Sequence, residues 1–228
     1  MWLRPKLTGS FCITTYCNAG CPQCQRTDPN GIKKNGWLPL ISWTVEDFQK
    51  AVPRPELYDH IIFCGTWGDP LMNKDLAKIV SYITQNSDAK IDIDTNGSIR
   101  DEDWYWEIGV AGGYNLTMQF AVDGSTQEMH ETYRQNTSLE KTLNNMKTLS
   151  MTNAFSLVHT IVFKHNQDHI QDIAELVKKY GAKQMTCTVS DRFDETDVFK
   201  FTKGNKEYQL ERVTDDKMRM EGRWKVFD

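Results

Sequence analysis

The chain has 228 residues, of which 39% are hydrophobic and 25% are charged, a balance typical of a globular domain and unlike that of a disordered or fibrous chain. Its net charge of −4, from 27 basic and 31 acidic side chains, excludes a strongly basic nucleic-acid footprint and disfavours a nucleic-acid partner. No apolar run approaches the roughly 18 residues that a transmembrane helix needs.

The beginning of the chain, Met1–Lys6, lacks the apolar segment of a secretory signal. We therefore expect a cytoplasmic protein without a membrane partner. Clustered cysteines in such a protein more often bind a metal than form structural disulfides.

The hydrophobic pattern predicts strands and helices that alternate along the chain. Thr44 and Asp47 form a capping-box pattern, Asn73 is expected to cap the second helix, and Gly181 is expected to end the last one. In chain order, we expect a strand at 10–15, a helix from Thr44, a strand at 59–64, a helix at 76–83, a strand at 90–94, a helix at 102–110, a strand at 116–122, a helix at 139–149, a strand at 155–163, a helix at 170–180 and a strand at 185–189.

Six strands separated by helices imply an α/β fold with a parallel sheet, either open and doubly wound or curled into a partial barrel. We expect one domain, with residues 1–190 as its core. Residues 191–228 are expected to form a C-terminal extension packed on that core, with a strand or hairpin turning at Gly204–Asn205 and closing the sheet edge.

Functional groups in such folds lie at the carboxyl ends of the parallel strands. The chemically distinctive segments of this sequence follow the predicted strands in that way. They are the cysteines after the first strand, Gly65-Thr66-Trp67-Gly68-Asp69-Pro70 after the second, Thr95-Asn96-Gly97 after the third, Asp123-Gly124 after the fourth and Lys164-His165-Asn166 after the fifth.

Three of the six cysteines, Cys17, Cys21 and Cys24, fall within eight residues. Chance would produce this spacing only about 0.004 times in a chain with this cysteine content. A structural zinc ion needs four ligands, so a remote residue such as Cys12, Cys64 or a histidine would have to complete it. Three thiolates suit a [4Fe–4S] cluster whose fourth iron stays open, whereas a ferredoxin-type carrier supplies four cysteines. The spacing therefore favours a cluster with an open iron over zinc.

The Cys-x-x-x-Cys-x-x-Cys spacing after a first strand resembles the radical S-adenosylmethionine (SAM) superfamily, over residues 10–190. The resemblance implies a six-stranded partial (βα)6 barrel, that is, a partial TIM barrel, and a [4Fe–4S] cluster held by the three cysteines. It also implies SAM bound to the open iron, and reductive cleavage that yields a 5′-deoxyadenosyl radical able to abstract a substrate hydrogen. A one-electron donor, flavodoxin or ferredoxin, is the implied partner.

The resemblance extends to motifs after the later strands. Gly68 and Asp69 match the second-strand motif, usually Gly-Gly-Glu-Pro, and would help to hold the amino group of the methionine moiety. Thr95 and Asn96 match the Thr-Asn-Gly that ends the third strand. The remaining matches are Asp123 after the fourth strand, Arg134 for the methionine carboxylate, and His165 with Asn166 for the adenine.

The sequence departs from the family pattern at four positions, which are Gln23, Trp67, Asp69 and Ala121. Many relatives add a cysteine-rich domain with auxiliary clusters (a SPASM-like domain) and modify peptides. This chain lacks those cysteines, so we expect a minimal single-cluster member or one that acts with another subunit. Its substrate is not indicated by the sequence, with a peptide or protein as one candidate.

Two other function classes fit the same cysteines. One is SAM-dependent methyl transfer, and the other is a non-enzymatic iron–sulfur or zinc-binding module.

Outside the motif, His159 is expected to be a hydrogen-bonded core residue, and Cys12 and Cys187 to be small buried hydrophobic residues. Cys64 is expected near the open end of the sheet, mainly as a packing residue.

Overall fold

The structure, a computed structural model, describes residues 6–228. Residues 1–5, on which the expected lack of a secretory signal mainly rests, lie outside the described residues. The strands in residues 6–228 are β1 (Leu7–Phe11), β2 (Thr27–Asp28), β3 (Lys33–Lys34), β4 (Tyr58–Phe63), β5 (Lys90–Thr95), β6 (Leu116–Ala121), β7 (Phe155–Val162), β8 (Gln184–Val189), β9 (Val198–Lys203), β10 (Lys206–Glu211) and β11 (Arg223–Phe227). The α-helices are α1 (Val45–Ala51), α2 (Leu76–Asn86), α3 (Glu102–Gly112), α4 (Gln127–Tyr133), α5 (Leu139–Ser150), α6 (Ile170–Lys179) and α7 (Asp216–Glu221). Short 3-10 helices cover Pro55–Leu57, Pro70–Met72, Gly113–Asn115 and Gln167–His169.

A seven-stranded sheet in the order β1-β4-β5-β6-β7-β8-β11 forms the centre of the molecule. Its first six strands are parallel, and β11 runs antiparallel to β8. The α/β class with a mostly parallel sheet is therefore confirmed. The seventh strand, β11, comes from the tail of the chain and closes the sheet edge beside β8, as expected.

The two faces of the sheet differ in polarity. In β5, Ile91 and Ile93 are fully buried in the hydrophobic core, while Asp92 and Asp94 lie half-buried on the opposite face. The core face packs against the helices, which contribute residues such as Ile79 and Leu149. Because parallel sheets usually bury both faces in apolar residues, the polar face marks the side on which a functional site can form.

The first strand differs from its prediction at 10–15. It covers Leu7–Phe11, and Phe11 pairs with Phe63, the last residue of β4. The regular pairing with β4 ends at Phe11, and the backbone N–H of Cys64 donates to the Phe11 carbonyl at 3.3 Å. Thr14 instead forms an isolated antiparallel bridge with Ser42. The other five predicted strands are confirmed to within one residue at each end.

The capping box at Thr44 and Asp47 is confirmed, but the cap predicted for the second helix is wrong. Asp75, and not Asn73, precedes α2. The side-chain amide of Asn73 donates to the carbonyl oxygens of Ile13 and Trp43, at 3.1 and 2.9 Å. Asn73 is therefore used to join three chain segments and does not begin the helix.

The tail forms the expected hairpin. Strands β9 and β10 pair antiparallel and turn at Gly204, whose φ of +59° lies in the left-handed region that glycine favours. Helix α4 and the small β2–β3 hairpin were not predicted, because each is too short for a periodic hydrophobic pattern. Within residues 6–228, no helix combines the length and apolar character needed to cross a membrane.

Candidate active site

A cavity of about 370 Å³ opens at the carboxyl ends of the parallel strands. Eight of the eleven residues predicted for the site line it, namely Cys17, Cys21, Cys24, Gly68, Asp69, Thr95, Asn96 and Arg134. Asp123 lies behind Arg134, and His165 and Asn166 are outside the cavity lining. The structure thus brings together residues that are up to 117 positions apart in the sequence, as Cys17 and Arg134 are.

The cysteine loop is held by backbone hydrogen bonds. The amide of Cys24 donates to the carbonyl of Cys21 at 3.0 Å, and Gly20 donates to the carbonyl of Gln135 at 2.9 Å. Within residues 6–228, no three His, Cys, Asp or Glu side chains are grouped closely enough to bind one metal ion. The three thiols therefore face a common cavity without converging on a single point.

Burial makes the thiolate forms of Cys17 and Cys21 costly. It raises the pKa of Cys17, with the Asp69 carboxylate adding to the effect. It also raises the pKa of Cys21 to about 11, against the opposing effect of Arg134. A bound cation would favour the thiolates by direct coordination, so the donor set suits a positively charged iron–sulfur centre.

Gly68 allows the loop after β4 to lie against the segment that leads to the cysteines. A Cβ at this position would collide with the backbone carbonyl oxygens of Thr14 and Tyr16. The next residue, Asp69, donates its backbone N–H to the Tyr16 carbonyl at 2.8 Å. Glycine is required here for close backbone approach, and this approach positions the cysteine loop.

The Asp69 carboxylate is almost fully buried, with 4% of the residue exposed, and it accepts hydrogen bonds from several donors. They are the backbone N–H of Leu71 (3.0 Å), the hydroxyl of Thr95 (3.0 Å), and the backbone and side-chain nitrogens of Asn96 (2.8 and 2.7 Å). Burial raises the pKa of Asp69 to about 6, although these hydrogen bonds oppose the rise. Asp69 therefore cross-links the ends of β4 and β5.

Asn96 continues this network into the cysteine loop. Its side-chain nitrogen donates to the amide oxygen of Asn18 at 2.8 Å, and the Asn18 amide donates to the hydroxyl of Ser98 at 3.0 Å. Gly97 has a φ of +75°, and its carbonyl accepts from Asn145 at 2.8 Å. The Thr-Asn-Gly turn thus provides a second attachment for the cysteine loop, in addition to the contact at Gly68.

Asp123 and Arg134 form a buried ion pair at the edge of the cavity. Arg134 Nε lies 2.5 Å from Asp123 Oδ2, and Asp123 Oδ1 accepts from the backbone of Ile161 at 2.7 Å. His130 supports the pair by accepting the Asp123 backbone N–H at 3.2 Å. Burial and the nearby Arg134 lower the pKa of His130 to about 3, so this ring is neutral.

The two residues predicted to approach an adenine do not reach the cavity. His165 stacks on Phe163 with ring centroids 5.7 Å apart, and burial lowers its pKa to about 4. Asn166 is buried and donates to the carbonyls of Asp123 and Ile161, both at 3.0 Å. Its side-chain oxygen also accepts the backbone N–H of Phe163 at 2.8 Å, so the side chain closes the turn after β7.

One wall of the cavity is polar and was not predicted from the sequence; it is formed by Asp94, Gln119 and His159. Gln119 donates to Asp94 at 2.8 Å, and burial together with neighbouring carboxylates raises the pKa of Asp94 to about 6. His159, predicted to lie in the core, is a half-buried wall residue whose Nδ1 lies 3.0 Å from the hydroxyl of Thr186. Burial lowers the pKa of His159 to about 4, which keeps it neutral. The alternation of Ile and Asp in β5 was the available signal, since it placed carboxylates on one face.

The tail also contributes to the site. Phe201 of β9, 3% exposed, packs in a cluster with Cys21, Ile32 and Tyr133. The backbone of Thr202 accepts from Gly31 at 3.0 Å and donates to Pro29 at 2.9 Å. The β9–β10 hairpin therefore covers the outer side of the cysteine loop.

The model of the Radical SAM superfamily matches residues 11–177. The antilisterial bacteriocin subtilosin biosynthesis protein AlbA of Bacillus subtilis is 25% identical over 191 residues, which cover 82% of this chain and 40% of AlbA. A GTP 3′,8-cyclase of Clostridium botulinum is 25% identical over 170 residues, covering 74% of this chain and 51% of the cyclase. This chain thus spans about half the length of the curated relatives that it matches.

Similar folds occur among solved structures. Streptococcus suis SuiB bound to S-adenosylmethionine superposes with a TM-score of 0.64 at 12% identity, over 95% of this chain and 46% of SuiB. SuiB bound to its precursor peptide SuiA gives a TM-score of 0.62 at 12% identity, over 81% of this chain and 39% of SuiB. At this identity the likeness concerns the fold.

Proposed function

We propose, for a chain that belongs to the radical SAM superfamily, that Cys17, Cys21 and Cys24 ligate the family's [4Fe–4S] cluster and that the enzyme abstracts hydrogen from a peptide. When bound, the cluster and SAM supply a one-electron cleavage that generates a 5′-deoxyadenosyl radical. Family members need a one-electron reductant, and we propose flavodoxin or ferredoxin in that role.

One observation supports this proposal above the others. The three cysteines line the same cavity as Gly68, Asp69 and Asn96, which come from the ends of two other strands. The number of cysteines and their spacing in one loop do not by themselves require residues from other strand ends to line the same cavity. We propose that the sheet curls as a partial barrel around the cavity, with residues 1–190 as its core and residues 191–228 as the extension.

Zinc is a weaker candidate for the cysteines. A structural zinc ion is surrounded by four donors at one point. Residues 6–228 hold no group of even three His, Cys, Asp or Glu side chains arranged in that way. A cubane takes each thiolate on a different iron, so three cysteines lining one cavity suit the cluster.

Arg134 is a cavity cation that contacts one of the proposed cluster ligands. Its Nη1 lies 3.7 Å from Cys21 Sγ, while Asp123 fixes the other side of the guanidinium. We propose that Arg134 stabilises negative charge at this end of the cavity, either on a thiolate sulfur or on the carboxylate of SAM. Asp69 acts in this proposal by positioning Thr95 and Asn96, since its own oxygens already accept four donors.

The rest of the cavity is proposed to receive the substrate. Asp94, Gln119 and His159 offer hydrogen-bonding groups along one wall, and Ala121 and Ile161 offer apolar surface. A hydrogen-abstracting site must hold its target close and exclude water, and a cavity between strand ends suits both needs. A peptide as substrate is supported by the fold shared with SuiB, which was solved with its precursor peptide.

The decisive experiment is anaerobic reconstitution with iron and sulfide, followed by reduction in the presence of SAM. Formation of 5′-deoxyadenosine is expected. Formation of S-adenosylhomocysteine would instead indicate methyl transfer, and a stable cluster without SAM cleavage would indicate an electron carrier. Bound zinc without iron or sulfide would overturn both iron-based functions.

Single alanine variants of the three cysteines give the matched test. Each of Cys17→Ala, Cys21→Ala and Cys24→Ala is expected to lose SAM cleavage, because each removes one of three proposed ligands. Cys187→Ala is the control, since Cys187 is buried in the core on β8 and away from the loop. Full activity in all three loop variants would contradict the ligand assignment.

A further inference from the structure

Two cysteines outside the proposed cluster loop, Cys12 and Cys64, lie side by side where β1 and β4 end. Their Sγ atoms are 3.1 Å apart. The two strands are parallel with Phe11 opposite Phe63, so the residues that follow are neighbours across the ladder. Adjacent strands lie about 4.8 Å apart, which falls within the roughly 4.4–6.8 Å between Cα atoms that a disulfide spans.

Both side chains project from the same face of the sheet. Cys12 comes two residues after Ser10 and Cys64 two residues after Ile62, and Ser10 and Ile62 are themselves register partners. Side chains two positions apart share a face. Cys64 lines the cavity, so the pair borders the space proposed for substrate.

The surroundings of the two thiols differ in a way that suits exchange. Burial alone would raise the pKa of Cys64, but hydrogen bonds involving Ser10, Cys12 and Thr66 outweigh it and lower that pKa. Burial and the adjacent Cys64 raise the pKa of Cys12. Cys64 is therefore the better nucleophile, while Cys12 keeps its proton until the second step.

We propose that Cys12 and Cys64 form a reversible disulfide on the cavity wall by exchange with a low-molecular-weight disulfide such as oxidised glutathione. In the first step, Cys64 thiolate attacks one sulfur of the small disulfide and releases one small thiolate. In the second step, Cys12 loses its proton to water and attacks Cys64 Sγ, releasing the second small thiolate. The protein pair loses two electrons and two protons, and the small disulfide gains the two electrons and becomes two thiols.

The disulfide would change the cavity and leave the cluster ligands untouched. It removes the Cys64 thiol from the wall and ties β1 to β4 at the end where the cysteine loop begins. Cys187 is buried in the core on another strand, so it offers no competing partner.

The test uses the cluster-loaded protein without oxygen. The protein is treated with oxidised glutathione, free thiols are blocked with N-ethylmaleimide, and the digested peptides are identified by mass spectrometry. We expect a Cys12–Cys64 cross-linked peptide that disappears after reduced glutathione is added, with unchanged iron and sulfide content. The Cys187→Ser variant should give the same cross-link, and Cys12→Ser should leave Cys64 as a mixed disulfide with glutathione.

Two results would overturn the proposal. One is maleimide on both Cys12 and Cys64 after oxidation of the wild-type protein. The other is a disulfide that joins either residue to Cys17, Cys21 or Cys24. Because the cross-link does not depend on SAM cleavage, its absence can be separated from failure of the proposed enzymatic function.

Discussion

Arg134 contacts Asp123 on one side and Cys21 on the other. The guanidinium Nε lies 2.5 Å from the buried carboxylate, and Nη1 lies 3.7 Å from the sulfur. An acidic residue after β6 and a cysteine after β1 are thereby linked through one cation. This relationship gives the Asp123-to-Arg134 motif a structural role that can be measured without a substrate.

Replacing Arg134 with alanine is expected to lower the free energy of unfolding by about 3–5 kcal/mol, because Asp123 would be left buried and unpaired. Urea denaturation measures this change. Lys164→Ala is the control, because its pair with Glu211 is largely exposed and pairs of that kind contribute about 0–1 kcal/mol. Equal losses in the two variants would show that the Asp123–Arg134 pair is not buried in solution.

Gly68→Ala should destabilise the cysteine loop, because its Cβ would collide with backbone oxygens that cannot rotate away. We expect a loss of about 1–3 kcal/mol in stability and a reduced iron content after reconstitution. Gly36→Ala is matched to it, since a Cβ at Gly36 meets nothing within 4 Å. Iron loading of the Gly68 variant at the wild-type level would contradict the close approach.

Asp94 should make the protein less stable as the pH rises. Its folded-state pKa of about 6 exceeds the ordinary value of 3.8, so the folded state binds the proton more tightly than the unfolded state does. The stability contributed by protonation is present below about pH 4 and is lost as the pH rises through about 6. In Asp94→Asn this dependence should be reduced, as measured by urea denaturation between those pH values.

Asp88→Asn provides the control for that measurement, since Asp88 lies exposed between α2 and β5. It should keep the wild-type pH profile. An unchanged profile in Asp94→Asn would mean that Asp94 is solvated rather than held on the cavity wall.

Phe201→Ala should lower the free energy of unfolding and weaken the packing of the β9–β10 hairpin against the cysteine loop. Removing a buried phenylalanine costs about 3–5 kcal/mol, and this side chain packs in the cluster that contains Cys21. We expect faster loss of iron to a chelator than in the wild type. Phe155→Ala is the comparison, because Phe155 is 41% exposed. Equal rates of iron loss to the chelator in the two variants would contradict the role of the β9–β10 hairpin in covering the cysteine loop.

Much of the framework could be predicted from the sequence because it depends on local patterns. The apolar periodicity located the strands of the parallel sheet after β1, and the capping box located the start of α1. The cysteine spacing and the motifs at strand ends identified eight of the residues that line the cavity.

The remaining features depend on contacts between distant segments. Asp69 was predicted to help hold the amino group of the methionine moiety. Its carboxylate oxygens accept hydrogen bonds from Leu71, Thr95 and Asn96, and no short sequence pattern indicates these contacts. His165 was predicted to approach the adenine because it follows a strand. Its ring instead stacks on Phe163, and the residue does not line the cavity. Side-chain direction in a loop follows from packing, which a single sequence does not encode in a short pattern.

The contact between Thr202 and the segment Pro29–Gly31 has a consequence for how the protein matures. During synthesis, the cysteines leave the ribosome long before β9 is made. The outer support of their loop is therefore missing from every nascent chain shorter than about 200 residues, since amino-terminal parts emerge and begin to fold first. We therefore expect iron and sulfide to enter the proposed cluster loop only after the hairpin has been translated, as a late step in biogenesis.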